Sequence, residues 1–235
     1  MDPDTPADQQ IRQIQADHIK VETKESIWDS KYRFPVMLAF FISFFNQFSG
    51  INAFLYYAPR IFEIAGLEAS SALLSSIGVG VTNLIFTYVG LMLIDKLGRR
   101  QLMYIGSVGY IISLSLVSMA FFTGIKGVAV PIFLFMFIAS HAVGQGTIIW
   151  VFISEIFPNH LRGKGTAFGT SIHWIFAALI PAMVPWLFKV IGPGTVFAVF
   201  ALMMVGQLLF TWRMMPETKG VTLEDLERKL IVKRN

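Results

Sequence analysis

The sequence contains no cysteine, which excludes disulfides and thiolate metal sites. It is also short of charge: Asp, Glu, Lys and Arg make up 14% of its 235 residues, against 54% hydrophobic. No HExxH helix, GxxxxGK loop or paired-cysteine spacing occurs, so neither a membrane metalloprotease nor an ATP-driven pump has a motif to rest on. Met1 is followed by DPDTPADQQ, with neither a basic start nor an apolar core, and no cleavable signal peptide is expected. No cofactor and no metal are expected from the residues present.

Long apolar runs fill the chain instead. A mean hydropathy of +0.61 is too high for a water-soluble domain of this length. Crossing a bilayer takes about 20 apolar residues per helix. Six segments meet that length: residues 34–57, 73–94, 102–122, 129–152, 166–188 and 195–215. The expectation is an all-α membrane protein, with a polar segment at 1–33, a six-helix transmembrane domain at 34–215 and a tail at 216–235. Of the 19 Lys and Arg, only Arg60, Lys126 and Lys189 fall on one face of such a bundle. The crowded face is cytoplasmic by the positive-inside rule, and an even number of spans puts both termini there. This asymmetry accounts for the pI near 9.4, so no nucleic-acid partner is expected.

The two ends are different material. Ile11, Ile14, His18 and Val21 form one weak apolar stripe, which predicts short amphipathic cytoplasmic helices before the first span. Past the last span, Pro216 ends the apolar run. Thr222 with Asp225 three residues on then predicts a capped, brief, solvated helix from Leu223.

The polar residues inside the spans carry the chemistry. FFNQFSGINAFLYYAP places Asn46, Gln47, Ser49 and Asn52 in the first span, with Gly50 and Pro59 to weaken the helix around them. HAVGQGTIIW places Gly144, Gln145 and Gly146 in the fourth span, ahead of Trp150. Spans one and four hold equivalent places in two triplets. Interrupted helices in corresponding positions are the mark of inverted repeats, three helices plus three, with a binding site between them. Asn83 in the second span and His173 with Trp174 in the fifth add to the set. Amides donate to and accept from hydroxyls, and indoles cover the C–H faces of a ring, so the combination suits a neutral monosaccharide or polyol. No charged residue in the spans asks for a charged ligand.

Other polar positions have plainer readings. Ser49, Ser113 and Ser115 are expected to bond back to their own helices. Gly165 and Gly169 form a GxxxG suited to close packing, and His141 is expected to be packed or hydrogen-bonded rather than a ligand.

The stretches NQFSGINAFLYYAP, DKLGRR, SEIFPNHLRGKG and PETKG, in this order and spacing, resemble the C-terminal half of sugar porters of the major facilitator superfamily. The resemblance covers nearly the whole chain. It implies that the six spans are helices seven to twelve of a twelve-helix carrier working by alternating access, and that an N-terminal half is the expected partner. By position it implies that Gln47, Asn52, Asn83 and Trp150 contact sugar, with Asn46, His173 and Trp174 beside them. Tyr56 and Tyr57 match an aromatic pair that closes the extracellular side. Asp95, Arg99, Arg100, Glu155, Arg162 and Glu217 match a cytoplasmic charge latch of the outward-facing state; as topology signals alone, Arg99 and Arg100 would serve the positive-inside rule. The departures are Asn46 where a second Gln is usual, Ala142 where hexose facilitators often carry Glu, and His173 where Asn or Gln precedes the tryptophan. They leave pentose and cyclitol open beside hexose. The expected place is a cell membrane, plasma or bacterial inner. A sugar sensor on the same fold, or an inactive gene fragment, is the alternative; the short stretch after Met215 speaks against a sensor's long signalling tail.

Overall fold

In a computed structural model, residues 25–232 are described. Six helices are long and apolar enough to cross a membrane: Ser30–Ile64, Ala69–Leu97, Arg99–Thr123, Ala129–Glu155, Arg162–Val190 and Gly192–Arg213. Most run past the apolar segments that forecast them, because a helix does not stop where the hydrocarbon does. The expected amphipathic helices of the N-terminal segment fall largely outside the described residues. The described part of it is a turn followed by one 3-10 turn, Ser30–Tyr32.

The first span is two helices, α1 (Arg33–Phe48) and α2 (Ile51–Ile64), separated at Ser49 and Gly50. Gly50 has φ +83°, and a Cβ there would stand 2.5 Å from the Phe200 ring. Only glycine meets both demands without strain. Pro59, by contrast, lies inside α2, which continues through it to Ile64. The second and third spans are single helices, α3 (Ala69–Leu97) and α4 (Arg99–Thr123). The fourth is broken: α5 (Ala129–His141), a π segment (Ala142–Gly146) with Gly144 off helical geometry at φ −88°, ψ −107°, and α6 (Thr147–Glu155). Spans five and six are α7 (Arg162–Val190) and α8 (Gly192–Arg213). Both expected interruptions are therefore present, at matching places in the two triplets.

α4 packs along α8 and α5, α1 lies against α7 and α8, and α2 packs on α3 and α7. The core is aliphatic and aromatic: Leu38, Ile42, Phe62, Met103, Leu134 and Phe152 are fully enclosed. Gly106 and Gly144 let α4 touch the π segment, where a Cβ on Gly106 would come within 2.9 Å of the Gly144 Cα. Gly165 and Gly169 do the same for α7, against Phe157 and Ile153. Ser49 and Ser113 bond to carbonyls of their own helices, as expected.

At the chain's end, the Thr222 hydroxyl accepts from the Asp225 N–H at 3.2 Å and caps α9 (Leu223–Glu227). A π turn, Arg228–Val232, follows. This segment is not simply solvated, contrary to the sequence reading. Leu226, Leu230 and Ile231 are buried, and the π turn packs on α1 and the 3-10 turn before it. Residues four apart on a helical turn share a face, and here that face is apolar.

Candidate functional site

The break at Gly50 turns the end of α1 and the start of α2 toward one another, and their amides meet there. The Asn52 Nδ2 donates to Gln47 Oε1 at 2.8 Å. The Gln47 Nε2 donates to Asn46 Oδ1, also at 2.8 Å, and lies 3.2 Å from both ring nitrogens of His173 on α7. Asn46 and Gln47 are adjacent in sequence and both buried, and their amides meet. The His173 ring lies tilted against the Trp150 indole with centroids 4.8 Å apart and meets Trp174 edge-on at 5.2 Å. Asn46, Gln47 and His173 are enclosed, Asn52 is half-buried, and Trp150 and Trp174 are open at 40% and 58%. The result is a satisfied amide chain at the back and indole surface at the front.

Three other expected residues stand apart from this chain. Asn83, half-buried on α3, makes no side-chain hydrogen bond among the described residues. Tyr56 is 61% exposed. Tyr57 lines a cavity of about 340 Å³ with Arg60, Val184, Pro185 and Lys189.

The charged cluster lies at the end of the bundle that holds both described termini. Arg99, at the start of α4, grips Glu155 at the end of α6 with two bonds, Nη2 to Oε1 at 2.8 Å and Nε to Oε2 at 3.3 Å. Its Nη1 reaches Asp95 at 3.3 Å. The Thr218 hydroxyl donates to Glu155 Oε2 at 2.6 Å. Glu217 makes no ion pair among the described residues. Its carboxylate accepts the backbone N–H groups of Arg99 and Arg100 at 2.9 and 3.0 Å, which caps α4 where its amides are free. Gly98 makes room for that cap: φ is +91°, and a Cβ would sit 2.6 Å from the carboxylate. Arg100 donates to the Thr211 and Trp212 carbonyls at the end of α8.

Arg162 is the departure. It forms no ion pair among the described residues, and its buried Nε has no partner. It sits in the first turn of α7, across a turn from Glu155, whose two oxygens are already taken by Arg99 and Thr218.

Three polar groupings went unread in the sequence. Glu25 gathers Lys31 Nζ at 2.7 Å, His160 Nε2 at 2.9 Å and the Tyr32 hydroxyl, clasping the entry of the first span to the loop between α6 and α7. The Lys31 ammonium, then Tyr32 and His160, hold the Glu25 carboxyl down at about 2. Gln145 in the π segment donates to Gln207, which donates to Ser107 at 2.8 Å. Tyr110 pairs with His141, which the sequence marked only as packed or bonded. Each partner lies 31 or more residues away, apart from Lys31 and Tyr32, so spacing gives no sign of them.

With this geometry in place, comparisons with known proteins are decisive on family. Residues 1–230 match the sugar (and other) transporter family. The chain belongs to that family. The D-xylose-proton symporter of Escherichia coli (strain K12) is 37% identical over 198 residues, which cover 82% of this chain and 40% of the symporter. The fold matches a double-tryptophan variant of XylE with a TM-score of 0.86 at 33% identity, over 95% of this chain and 48% of that one. It also matches XylE, a proton:xylose symporter of the major facilitator superfamily, bound to 6-bromo-6-deoxy-D-glucose. That TM-score is 0.76 at 37% identity, over 83% and 42% of the two chains. The chain thus spans about half the length of the transporters it matches, as a multi-pass membrane bundle of the major facilitator kind.

Proposed function

We propose that the chain is the C-terminal half of a sugar carrier: it forms one wall of a site for a neutral monosaccharide, with a pentose such as D-xylose first, or a polyol of similar size. The wall moves by alternating access against an N-terminal half, and the chain transports rather than catalyses. The observation that carries this reading is the neutral amide chain Asn52, Gln47, Asn46, His173, set at a helix break and fronted by Trp150. Such a wall offers donors, acceptors and an aromatic face without charge, which matches hydroxyls on a ring. Asn83, with its amide unspent, and Trp174, open on the same helix as His173, complete the contact set. Tyr56 and Tyr57 then serve as the extracellular gate.

The second half is asked for by the exposure pattern. The spans α3 and α7 are the least covered, with 17% and 28% of an 18-residue apolar stretch buried against 61% for the first span, and they carry Asn83 and Trp174. Exposing amides to lipid is unfavourable. The basic end is cytoplasmic, in a plasma or bacterial inner membrane. There Arg99, Glu155 and Asp95 latch the outward-facing state, Glu217 and Arg100 fix the helix ends, and Arg162 is left for a partner in the other half.

The test is D-xylose binding to the chain assembled with a six-span N-terminal half from a xylose symporter. Gln47→Ala and Asn52→Ala should each weaken binding about tenfold or more, the effect of leaving a buried polar partner unpaired. Unchanged affinity in both variants would make these amides structural and overturn the reading.

A further inference from the structure

We infer that the seam between the first and sixth spans holds one anionic two-chain phospholipid, its phosphate met by Arg33 and Arg213 and its acyl chains laid in two apolar grooves on either side of Met214. The first groove is a cavity of about 960 Å³ at the end of the bundle that holds the described termini. Arg33, Val36, Met37 and Phe40 line it from α1, at the i, i+3, i+4, i+7 spacing of one helix face. Phe168 of α7 and Leu230 of the tail line its other sides. The second groove, of about 280 Å³, is lined by Phe41 and Phe45 of α1 and by Gly206 and Leu209 of α8, with Arg213 at its rim. Met214 lines both, so the two grooves are neighbours.

The arginines at this seam are uncommitted. Glu25 takes Lys31, Tyr32 and His160, and Asp29 accepts the Ser26 N–H at 3.1 Å, so both carboxylates of the turn before α1 are engaged. Arg33 forms no hydrogen bond or ion pair among the described residues, and Arg213 rests only over the Trp212 ring, 5.2 Å from its centroid. Arg33 is also the first residue of α1, whose N-cap makes no side-chain hydrogen bond, so an anion there offsets a cation set against the helix dipole. A guanidinium is a planar fork of donors that matches phosphate, and long arginine stems let two of them snorkel to one headgroup. Trp28, which lines the first groove, and Trp212, beside Arg213, are both exposed, as indoles are where hydrocarbon meets water.

The shape of the grooves selects lipid over polypeptide. Phe40 and Gly206 lie two turns inward of Arg33 and Arg213, about 10 Å along their helices. Polypeptide at that depth must satisfy every backbone N–H and C=O; an alkyl chain has none to satisfy. A neutral lipid would leave both arginines without a counter-charge, whereas cations at a membrane edge favour anionic lipid. By the orientation proposed above this end is cytoplasmic, so the lipid belongs to that leaflet. The site itself depends neither on orientation nor on sugar.

The test is native mass spectrometry of the full chain in detergent micelles, titrated with dioleoylphosphatidylglycerol or dioleoylphosphatidylcholine. One phosphatidylglycerol should be retained in preference to phosphatidylcholine. Arg33→Gln and Arg213→Gln should each weaken that retention about fivefold, the worth of one cation at an anionic surface. Met37→Trp, which fills the first groove without changing charge, should weaken it as well. Lys126→Gln, between α4 and α5 at the other end of the bundle, should leave it unchanged. If one arginine variant does not fold, the other carries the same reading. Equal retention of the two lipids, or retention indifferent to Arg33, Arg213 and Met37, overturns the inference. The rival occupant is the chain's own segment before Glu25. The sequence has no cysteine, so Ile14→Cys with Met37→Cys gives a clean crosslinking pair; efficient crosslinking without lipid preference puts that segment in the groove and overturns the lipid assignment. Phosphatidylglycerol retention that follows these variants, in a chain that binds no D-xylose when paired with an N-terminal half, would support the lipid site and contradict the carrier reading alone.

Discussion

The two polar clusters of this bundle are built from opposite materials. In mid-membrane, Asn46, Gln47, Asn52 and His173 pair without a single fixed charge. At the end holding the described termini, Arg99 pairs through charge with Asp95 and Glu155, and Thr218 donates to Glu155. The first lies where water is scarce and a charge would be costly to bury; the second lies at a helix end where water can take over when the pair parts. A neutral cluster can trade its hydrogen bonds for those of a ligand hydroxyl without uncovering a charge, whereas a charged one leaves bare charges when it parts. That difference is the ground for the roles proposed above, ligand recognition for the one and conformational hold for the other.

The comparison can be broken in four ways, taken here from the largest effect. Gly50→Ala attacks the neutral cluster through its backbone: a side chain at φ +83° with its Cβ in the Phe200 ring should destabilise the bundle by about 2–4 kcal/mol, read in thermal unfolding of the purified chain. A stable, unshifted variant would mean the break does not organise the site. Glu155→Ala attacks the charged cluster and strands both Arg99 and Thr218. A loss of about 1.5–3 kcal/mol from the latched state is expected, seen as increased labelling of cytoplasmic-side cysteines introduced into the assembled two-half protein. Wild-type labelling would remove the latch role. Trp150→Phe keeps an aromatic face but shortens it, so D-xylose affinity should fall by about threefold, on the scale of one aromatic contact; no change would take Trp150 out of the wall.

The smallest effect is at the Glu25 clasp. With its carboxyl lowered to about 2 by Lys31, Tyr32 and His160, the ionised form is favoured in the fold. Its contribution is therefore complete above the ordinary carboxylate value of about 4.3 and is lost as pH falls through about 2. Protection of the amides over residues 25–32 relative to their intrinsic exchange rate should stay high at pH 5 and fall toward pH 2, and Glu25→Gln should be poorly protected at both. Equal exchange in wild type and variant at pH 5 would show that Glu25 does not hold the entry.

The sequence made the membrane fold legible because its signals are one-dimensional: run length for the spans, Gly50 and Gly144 for the breaks, Thr222 for the last cap. It also marked out Asn46, Gln47, Asn52, Trp150 and His173, which the fold brings into one cluster, since amides and an imidazole in apolar runs are conspicuous. What it could not show is pairing across distance. Gln47 meets His173 from 126 positions away, and Arg99 meets Glu155 across 56. The family resemblance put Arg162 and Glu217 in one latch; only coordinates separate a carboxylate that caps a helix from one that forms an ion pair. The tail misled for a related reason, since Leu230 and Ile231 look solvated until α1 and the 3-10 turn, on which their π turn packs, are placed.

The central claim, that this chain is one wall of a two-walled carrier, is tested most directly by D-xylose counterflow in proteoliposomes. The chain alone should show no saturable uptake, and uptake should appear when a matching N-terminal half is reconstituted with it. Robust, saturable uptake by the purified chain on its own would contradict the claim and point to a self-sufficient oligomer.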